Sequence, residues 1–247
     1  MSEPHRYGSA LLSAYISAAL VPCSKNVDTV PTTSLDSPLQ IKLQSTLKDS
    51  SVTVLELGSG AVGLAGLVLA WCYQQYQTEK GKRRRVILTD YDHHVLHQLK
   101  RNVSRNAHLW QTDDKDDNAT ICMDVTLLDW GKPPMDWNAH LGLDTDQAVD
   151  LIIGSELVYT PENALACRDC VLSLTQQFPA ALVCIVQIMD REGWQNIFLS
   201  GLQEAGLYVT ENAVDVDCDA AASAMMKRGG SLDRFDFGIC YISRTEF

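Results

Sequence analysis

The sequence is poor in positive charge. Its 20 Lys and Arg residues stand against 31 Asp and Glu residues, which leaves a formal net charge of −11. Because neutralising phosphate groups needs a basic surface, this balance argues against nucleic acid as a partner and favours basic partners such as lysine-bearing proteins. The run 80–85, KGKRRR, opposes the balance, and we predict that it forms a solvated loop between a helix and a strand.

A long apolar run and a regular cysteine pattern are also missing. The apolar stretch 9–21 is too short to cross a bilayer, and its serines recur every four residues, which predicts an amphipathic helix across the domain edge; a secretory signal is the alternative. Cys167 and Cys170 form an isolated CxxC, and His93 and His97 lack the glutamate of a zinc-protease motif. We therefore expect no metal site, and a reduced protein of the cytoplasm or, as a second location, the nucleus.

The most informative segment that is present covers residues 52–66, VTVLELGSGAVGLAG. Its first four residues form an apolar, β-branched run that is typical of a strand buried on both faces of a parallel sheet. Gly58 and Gly60 end this strand, and the helix formers from Ala61 onward predict a buried helix. A strand, a glycine turn and a helix N-terminus gather backbone N–H groups around one cavity, so we predict a nucleotide-type ligand site.

The acidic residue ahead of this turn helps to choose the nucleotide. The spacing of Gly58, Gly60 and Gly63 also satisfies the dinucleotide fingerprint, in which a helix N-terminus faces a pyrophosphate. Glu56, however, comes two residues before Gly58 and points a carboxylate toward the ligand, which repels a phosphate. A ligand with positive charge and hydroxyl groups fits better, and S-adenosylmethionine (SAM) carries a sulfonium, an ammonium and a ribose.

Two later strand ends carry acids that suit the same ligand. Val86–Asp90 predicts a second buried strand, and Asp90 at its tip is placed to accept both ribose hydroxyls, while Asp92 is better placed to cap the next helix. After the third predicted strand, Asp129 stands beside Trp130. This pair can accept the adenine amino group and cover the ring, although a tryptophan that closes the core edge is an alternative.

The order of elements predicts the fold class. Strands alternate with helices until two strands follow each other at the end, which favours one α/β domain with a mostly parallel sheet, a C-terminal antiparallel strand pair and helices on both faces. We assign residues 51–247 to this domain and residues 1–50 to an N-terminal helix and irregular segment that packs on it. The stretch 131–147 contains few periodic apolar residues, and neither it nor the stretch 215–234 carries a motif. We predict that both are loops.

Four motifs together resemble one enzyme family. The segments LELGSG, LTD, LDWG and GSELVY occur in this order from Ser51 onward and resemble the family-16 group of seven-β-strand SAM-dependent methyltransferases, best known as protein-lysine methyltransferases. The resemblance implies a single-domain seven-stranded Rossmann-like methyltransferase sheet. It also implies that SAM is bound by a set of motif residues, namely Glu56, Gly58, Gly60, Asp90, Asp129, Trp130 and Ser155.

The resemblance implies a catalytic pair as well. Where the family has Asp-x-x-Tyr or Asp-x-x-Phe after strand four, this chain has Glu156-Leu-Val-Tyr159. Tyr159 would form an aromatic wall beside the acceptor amine and Glu156 would orient that amine. The implied partner is a protein that carries a lysine, with no membrane involved and with the enzyme as a monomer. For both residues a structural role, as a helix N-terminal acid and an edge aromatic, stays open.

Three other functions stay open on the sequence. The first is methyl transfer to another acceptor, such as an arginine, a histidine or a small molecule. The second is an NAD(P)-dependent oxidoreductase, which only the glycine spacing supports. The third is a non-catalytic SAM-binding interaction protein that keeps the fold.

Overall fold

The computed structural model describes residues 9–13, 16, 38–49, 51–76, 83–111, 120–213 and 237–246. One sheet contains β1 (Val52–Leu57), β2 (Arg83–Asp90), β3 (Thr120–Leu127), β4 (Leu151–Ser155), β5 (Leu182–Ile188), β6 (Tyr208–Ala213) and β7 (Phe237–Ser243). After the helical residues 9–13 and 16, the helices are α1 (Pro38–Lys48), α2 (Leu64–Tyr76), α3 (His93–Asn106), α4 (Trp137–Leu141), α5 (Pro161–Gln177) and α6 (Ser200–Glu204), with a 3-10 turn at Ala107–Leu109 and a π-helix at Trp194–Leu199.

The sheet has the strand order β3-β2-β1-β4-β5-β7-β6. Strands β1 to β5 pair in parallel, whereas β7 runs antiparallel to both of its neighbours. This arrangement confirms the predicted seven-stranded, mostly parallel sheet with an antiparallel pair at its C-terminal end. The chain order reverses between β1 and β4, and in open α/β sheets ligands bind at such a switch point, outside the carboxyl ends of the strands.

Two hydrophobic cores lie on the two faces of the sheet. Along β1, whose six residues are all buried, Val52 and Val54 belong to one core while Leu55 and Leu57 belong to the other. Side chains of successive strand residues point to opposite faces, so a continuous apolar run is what a strand covered on both sides requires. Helices α1, α2 and α3 supply buried residues to the first core, and α4, α5 and the π-helix supply the second.

The N-terminal apolar stretch joins the first core. Residues 9–13 and 16 are helical, as predicted, and Leu11, Leu12 and Ile16 are at most 1% exposed. Residues 17–21 lie outside the described residues, and the division of the chain at residue 50 stays a prediction. None of the helices in the described ranges is long and apolar enough to span a bilayer.

The basic run does not behave as predicted. Arg83, Arg84 and Arg85 belong to β2, so the prediction of a solvated loop is wrong for these three residues; residues 80–82 lie outside the described part. Arg84 is 1% exposed, and its guanidinium lies 4.9 Å from the centre of the Tyr73 ring. The Nε of Arg85 donates to Asp124 on β3 at 2.7 Å. Arginine stems cover apolar surface while the head groups find an aromatic face or a carboxylate, so the strand extends through charged residues.

The stretch 131–147 is also more ordered than a loop. It contains α4, where Asp136 caps the helix by accepting the N–H of Ala139 at 3.0 Å. Trp137 is 2% exposed, belongs to the second core and donates its indole N–H to Ser173 of α5 at 2.9 Å. The prediction of a loop fails because one buried tryptophan and a cap hold a five-residue helix without apolar periodicity. The stretch 215–234 lies outside the described residues.

The CxxC cysteines are packing residues of α5. Cys167 and Cys170 are both fully buried and free. Burial raises the pKa of the Cys170 thiol to about 12, so it stays protonated and unreactive at neutral pH. His93 and His97 are exposed on α3, and the described residues contain no group of three side chains that could hold a metal ion.

We expect Trp137→Ala to destabilise the protein by about 3–5 kcal/mol, because it leaves a cavity in the second core and an unpaired Ser173 hydroxyl. Met135→Ala is the matched control, since Met135 lies two residues away in the same stretch and is fully exposed; its effect should stay within about 0.5 kcal/mol. Urea unfolding of both variants measures the difference. Equal stability of the two variants would show that the stretch is a dispensable loop.

Candidate active site

The glycine turn after β1 lies at the switch point of the sheet. Gly58, Gly60 and Gly63 have φ angles of +60°, +62° and +63°, a conformation that side chains with a Cβ rarely adopt. A Cβ at Gly58 would lie 3.1 Å from Leu157 and 3.3 Å from the Trp130 ring, whereas a Cβ at Gly60 would meet nothing within 4 Å. The turn therefore packs closely on one side and leaves open space beside Gly60 for a ligand.

Hydrogen bonds tie this turn to the end of β2. The N–H of Ser59 donates to the Thr89 carbonyl at 2.8 Å, and the N–H of Thr89 donates to the Ser59 hydroxyl at 3.2 Å. The Thr89 hydroxyl donates to the carbonyl of Glu56 at 2.7 Å, and Asn102 of α3 donates to the carbonyl of Ala61 at 2.8 Å. These contacts hold the backbone N–H groups of the turn in one arrangement.

Glu56 is turned away from solvent. It is 2% exposed, and its Oε2 accepts the N–H of Gly66 in α2 at 3.0 Å. Burial raises the pKa of Glu56 to about 7, although the hydrogen bonds from Gly66 and Ser59 oppose this shift. We expected the carboxylate to point toward the ligand, but one oxygen instead holds the first turn of α2. The contribution of Glu56 to cofactor binding stays a prediction.

Asp90 connects two loops at the carboxyl edge. Its Oδ2 accepts the N–H of Gly60 at 3.1 Å and its Oδ1 accepts the N–H of Asp92 at 3.1 Å. Asp92 itself caps α3 by accepting the N–H of His94 at 2.7 Å. This confirms the prediction that Asp92 is the residue that caps this helix. Asp90 therefore lies beside the open space at Gly60, and its predicted contact with a ribose stays a prediction.

One aromatic side chain packs on the glycine turn. Trp130 lies against Gly58, and Asp129 next to it is exposed, with its Oδ1 accepting the N–H of Gly131 at 3.0 Å. Tyr91, which directly follows Asp90, is 73% exposed.

The N-terminal helical residues reach the end of β4. The hydroxyl of Ser155 is 2.8 Å from the hydroxyl of Ser9, and Ser155 itself is 8% exposed. Ser9 in turn accepts a hydrogen bond on its carbonyl from the Ser13 hydroxyl at 2.7 Å. The predicted cofactor-binding serine is thus joined to the N-terminal segment, a contact between positions 146 residues apart.

Glu156 has the most unusual environment of the predicted residues. Its φ is +52°, the one positive value that a non-glycine residue has in the described chain. The side chain is 2% exposed and its Oε1 accepts the N–H of Ile188 at 2.9 Å, whereas its Oε2 has no hydrogen bond and lies 3.9 Å from Nη2 of Arg191. Burial raises the pKa of Glu156 to about 7, against the effect of the Ile188 N–H and the Arg191 charge.

Tyr159 and Arg191 complete this corner. The Arg191 guanidinium lies 6.0 Å from the centre of the Tyr159 ring, which is 41% exposed. Burial and the negative charge of Glu156 raise the pKa of Tyr159 to about 12, so its hydroxyl stays neutral. Arg191, which the sequence reasoning missed, thus lies near both Glu156 and the Tyr159 ring, and the catalytic roles of Glu156 and Tyr159 stay predictions.

A buried amide holds the main chain of this corner. The Gln187 side chain, which is fully buried in β5, accepts the N–H of Val158 at 3.1 Å and donates to the carbonyl of Val158 at 3.0 Å. Both bonds replace what a strand partner would supply, so residues 156–159 keep one conformation. A lone glutamine in the apolar strand LVCIVQI was the available signal.

A family model and several solved structures are similar to this chain. A family model described as lysine methyltransferase matches residues 11–205, whereas no curated protein matches the chain. The METTL16 MTase domain resembles it with a TM-score of 0.49 at 11% identity, over 83% of each chain. An O-methyltransferase from Bacillus cereus in complex with SAH has a TM-score of 0.48 at 14% identity, over 96% of this chain and 90% of that chain. A SAM dependent methyltransferase from Aquifex aeolicus has a TM-score of 0.44 at 17% identity, over 84% and 94%.

The buried Glu56 carboxylate makes stability depend on pH. Its folded pKa of about 7 lies above the ordinary value of 4.5, so folding takes up a proton between these values and the free energy of unfolding falls as pH rises from 4.5 to 7. Glu56→Gln keeps an acceptor for the Gly66 N–H and removes this titration. We expect the free energy of unfolding, measured with urea between pH 5 and 8, to decline less in this variant than in the unaltered protein, by up to about 3 kcal/mol.

Glu204→Gln, which changes an exposed acid of α6, is the control and should leave the profile unchanged. Glu156 contributes a slope of the same sign, so the Glu56 variant is expected to keep part of the decline. An unchanged profile in Glu56→Gln would contradict the buried, protonated carboxylate.

Proposed function

The chain belongs to the lysine methyltransferase family, and on that premise we propose that it transfers the methyl group of SAM to the ε-nitrogen of a lysine side chain in a protein. The family match confirms the resemblance drawn from the four motifs, and with it SAM-dependent methyl transfer as the reaction class and SAM as the cofactor. The lysine acceptor is the finer step that we propose. The nicotinamide alternative loses its support, since the match to the lysine methyltransferase family covers residues 11–205 and so includes the glycine turn.

The residues of the carboxyl edge fit the cofactor. When bound, SAM supplies a sulfonium whose methyl group is open to in-line displacement. Asp90 would accept the ribose hydroxyls, and Asp129 with Trp130 would hold the adenine. The main chain at Gly58 and Gly60 would approach the methionine part, together with the side chains of two other predicted residues, Glu56 and Ser155. The open space at Gly60 is the observation that supports this fit.

The corner of Glu156, Tyr159 and Arg191 carries the proposal of an amine acceptor. It offers a buried carboxylate oxygen without a hydrogen bond, and a half-exposed aromatic ring. An amine can donate to Oε2 of Glu156 while its methylene groups pack on the Tyr159 ring. The acidic surface of the protein further favours a basic partner.

The acceptor must lose a proton before it attacks. A free lysine has a pKa of about 10.4, so deprotonation costs about 4–5 kcal/mol at neutral pH. Burial beside the Arg191 cation lowers that cost, because both effects disfavour a second positive charge. Glu156, with a pKa of about 7, is placed to hold the departing proton or pass it to solvent. Alignment of the neutral nitrogen then contributes the larger part of the rate, up to about 7–11 kcal/mol.

The compartment is a separate proposal. The cysteines that the structure describes are all free, and five of these six are buried. This supports a protein of a reducing compartment, the cytoplasm or the nucleus.

We expect Asp90→Ala to weaken binding of the demethylated cofactor product by at least about 100-fold, because two hydrogen bonds to a charged acceptor are lost. Asp92→Ala is the matched control: it removes the cap of α3 at a cost of about 1 kcal/mol in stability and should leave affinity within about threefold. Isothermal titration calorimetry on both variants measures the difference. Equal loss in both would show that loop order, and not a ribose contact, decides the affinity.

We expect Tyr159→Ala to reduce methyl transfer by at least about 100-fold while affinity for the cofactor product stays within about threefold, because the variant misplaces the acceptor and not the cofactor. Tyr159→Phe keeps the ring and should keep most of the activity. Tyr208→Ala, which removes a similarly exposed tyrosine on β6, is the control and should be fully active.

The assay uses methyl-labelled SAM with a cell lysate, and mass spectrometry locates the labelled residue. Label on a lysine ε-nitrogen supports the proposal. Label on an arginine, a histidine or a small molecule would replace lysine by that acceptor, and cofactor binding without any transfer would identify a non-catalytic binding protein.

A further inference from the structure

Helix α3 carries a strongly basic surface on a protein whose net charge is −11. Six basic side chains are exposed on this helix, and we call them the α3 basic face: His93, His94, His97, Lys100, Arg101 and Arg105. At 3.6 residues per turn they lie within about 140° of the helix circumference. His108, in the 3-10 turn that continues the helix, is exposed as well.

Acidic side chains do not balance this face. None of the 31 acidic residues of the chain falls between positions 93 and 111. No ion pair joins Lys100, Arg101 or Arg105 to another residue in the part of the chain that the structure describes. Arg85 and Arg168, by contrast, each lie 2.7 Å from an aspartate oxygen. The cations of α3 are therefore left to solvent or to a partner.

The arrangement costs helix stability. Arg101 and Arg105 are four residues apart, a spacing at which like charges oppose helix formation by about 0.2–0.5 kcal/mol. The packing of α3 needs only its opposite side, where Leu96 and Leu99 are buried. Basic residues on the outer side thus add nothing to the core, and a local rule broken without structural gain indicates a functional surface.

The fold fixes the direction in which this face points. Leu96 and Leu99 belong to the first core, and Asn102, on the side of α3 away from the basic residues, donates to the carbonyl of Ala61. The Asp92 cap holds the start of the helix. The basic face is therefore presented outward on a rigid element.

We propose that the α3 basic face docks an acidic segment of a partner protein. From His93 to Arg105 the helix rises about 18 Å, which an extended chain covers with about six residues. A short acidic segment meets only this face. A nucleic acid extends beyond it and meets the acidic remainder of the surface, which opposes binding. The inference does not depend on the proposed methyl acceptor.

The test uses a fluorescein-labelled hexaglutamate peptide, whose anisotropy is measured against the full-length protein at low ionic strength. The variant K100Q/R101Q/R105Q should bind the peptide at least tenfold more weakly than the unaltered protein. The variant K42Q/K48Q/R83Q removes the same charge elsewhere on the surface and should bind within about twofold. Thermal unfolding and affinity for the cofactor product, unchanged in both, show that the variants are folded.

Four results would overturn the proposal. The first is that the unaltered protein does not bind the peptide. The second is that both triple variants bind the peptide equally weakly. The third is that an oligothymidylate of equal charge binds more tightly than the peptide and loses this binding with the α3 substitutions. The fourth is a tenfold gain in peptide affinity when the four aspartates of 113–117 are changed to asparagine, which would assign the face to the chain's own acidic stretch.

Discussion

The carboxylate of Asp90 joins the two loops on which the candidate active site depends. One oxygen holds the N–H of Gly60 in the glycine turn and the other holds the N–H of Asp92 ahead of α3. Thr89 and Ser59 link the same strand ends through main-chain and side-chain bonds. Each carboxylate oxygen has a second lone pair, so a ribose hydroxyl can be added without displacing these N–H groups. If Asp90 binds the ribose as proposed, ligand binding and loop order are coupled through this one side chain.

The corner after β4 is held by buried polar groups. A positive φ in a glutamate costs on the order of 1–3 kcal/mol and persists only where the surroundings enforce it. Here Gln187 fixes both backbone groups of Val158, and the N–H of Ile188 holds one oxygen of Glu156. The family motif has an aspartate at this position. In this chain, the carboxylate of Glu156 reaches the N–H of Ile188 at the end of β5.

The sequence predicted the strands, the glycine turn and the acids at the strand ends, because buried parallel strands leave apolar runs and turns leave glycines. It failed where charged residues entered a strand, as Arg84 does over Tyr73, and where one buried tryptophan organised a helix of five residues. Gln187 stands out as the one polar residue of its strand, but its role and that of Arg191 depend on partners about 30 residues away that only the sheet brings near. The orientation of the Glu56 carboxylate likewise depends on the path of α2.

The charges around Glu156 bear on which form of an amine the corner accepts. An ammonium would be attracted by the carboxylate and repelled by Arg191, and it would be desolvated on entry. A neutral amine is not repelled by Arg191, and its desolvation costs less. It can still donate a hydrogen bond to Oε2 of Glu156, which has no hydrogen bond in the structure. Since Glu156 has a pKa of about 7, an ammonium that enters beside it has an acceptor for its proton within the same corner. In the proposed reaction, the arrangement would therefore favour the neutral, nucleophilic form of the acceptor.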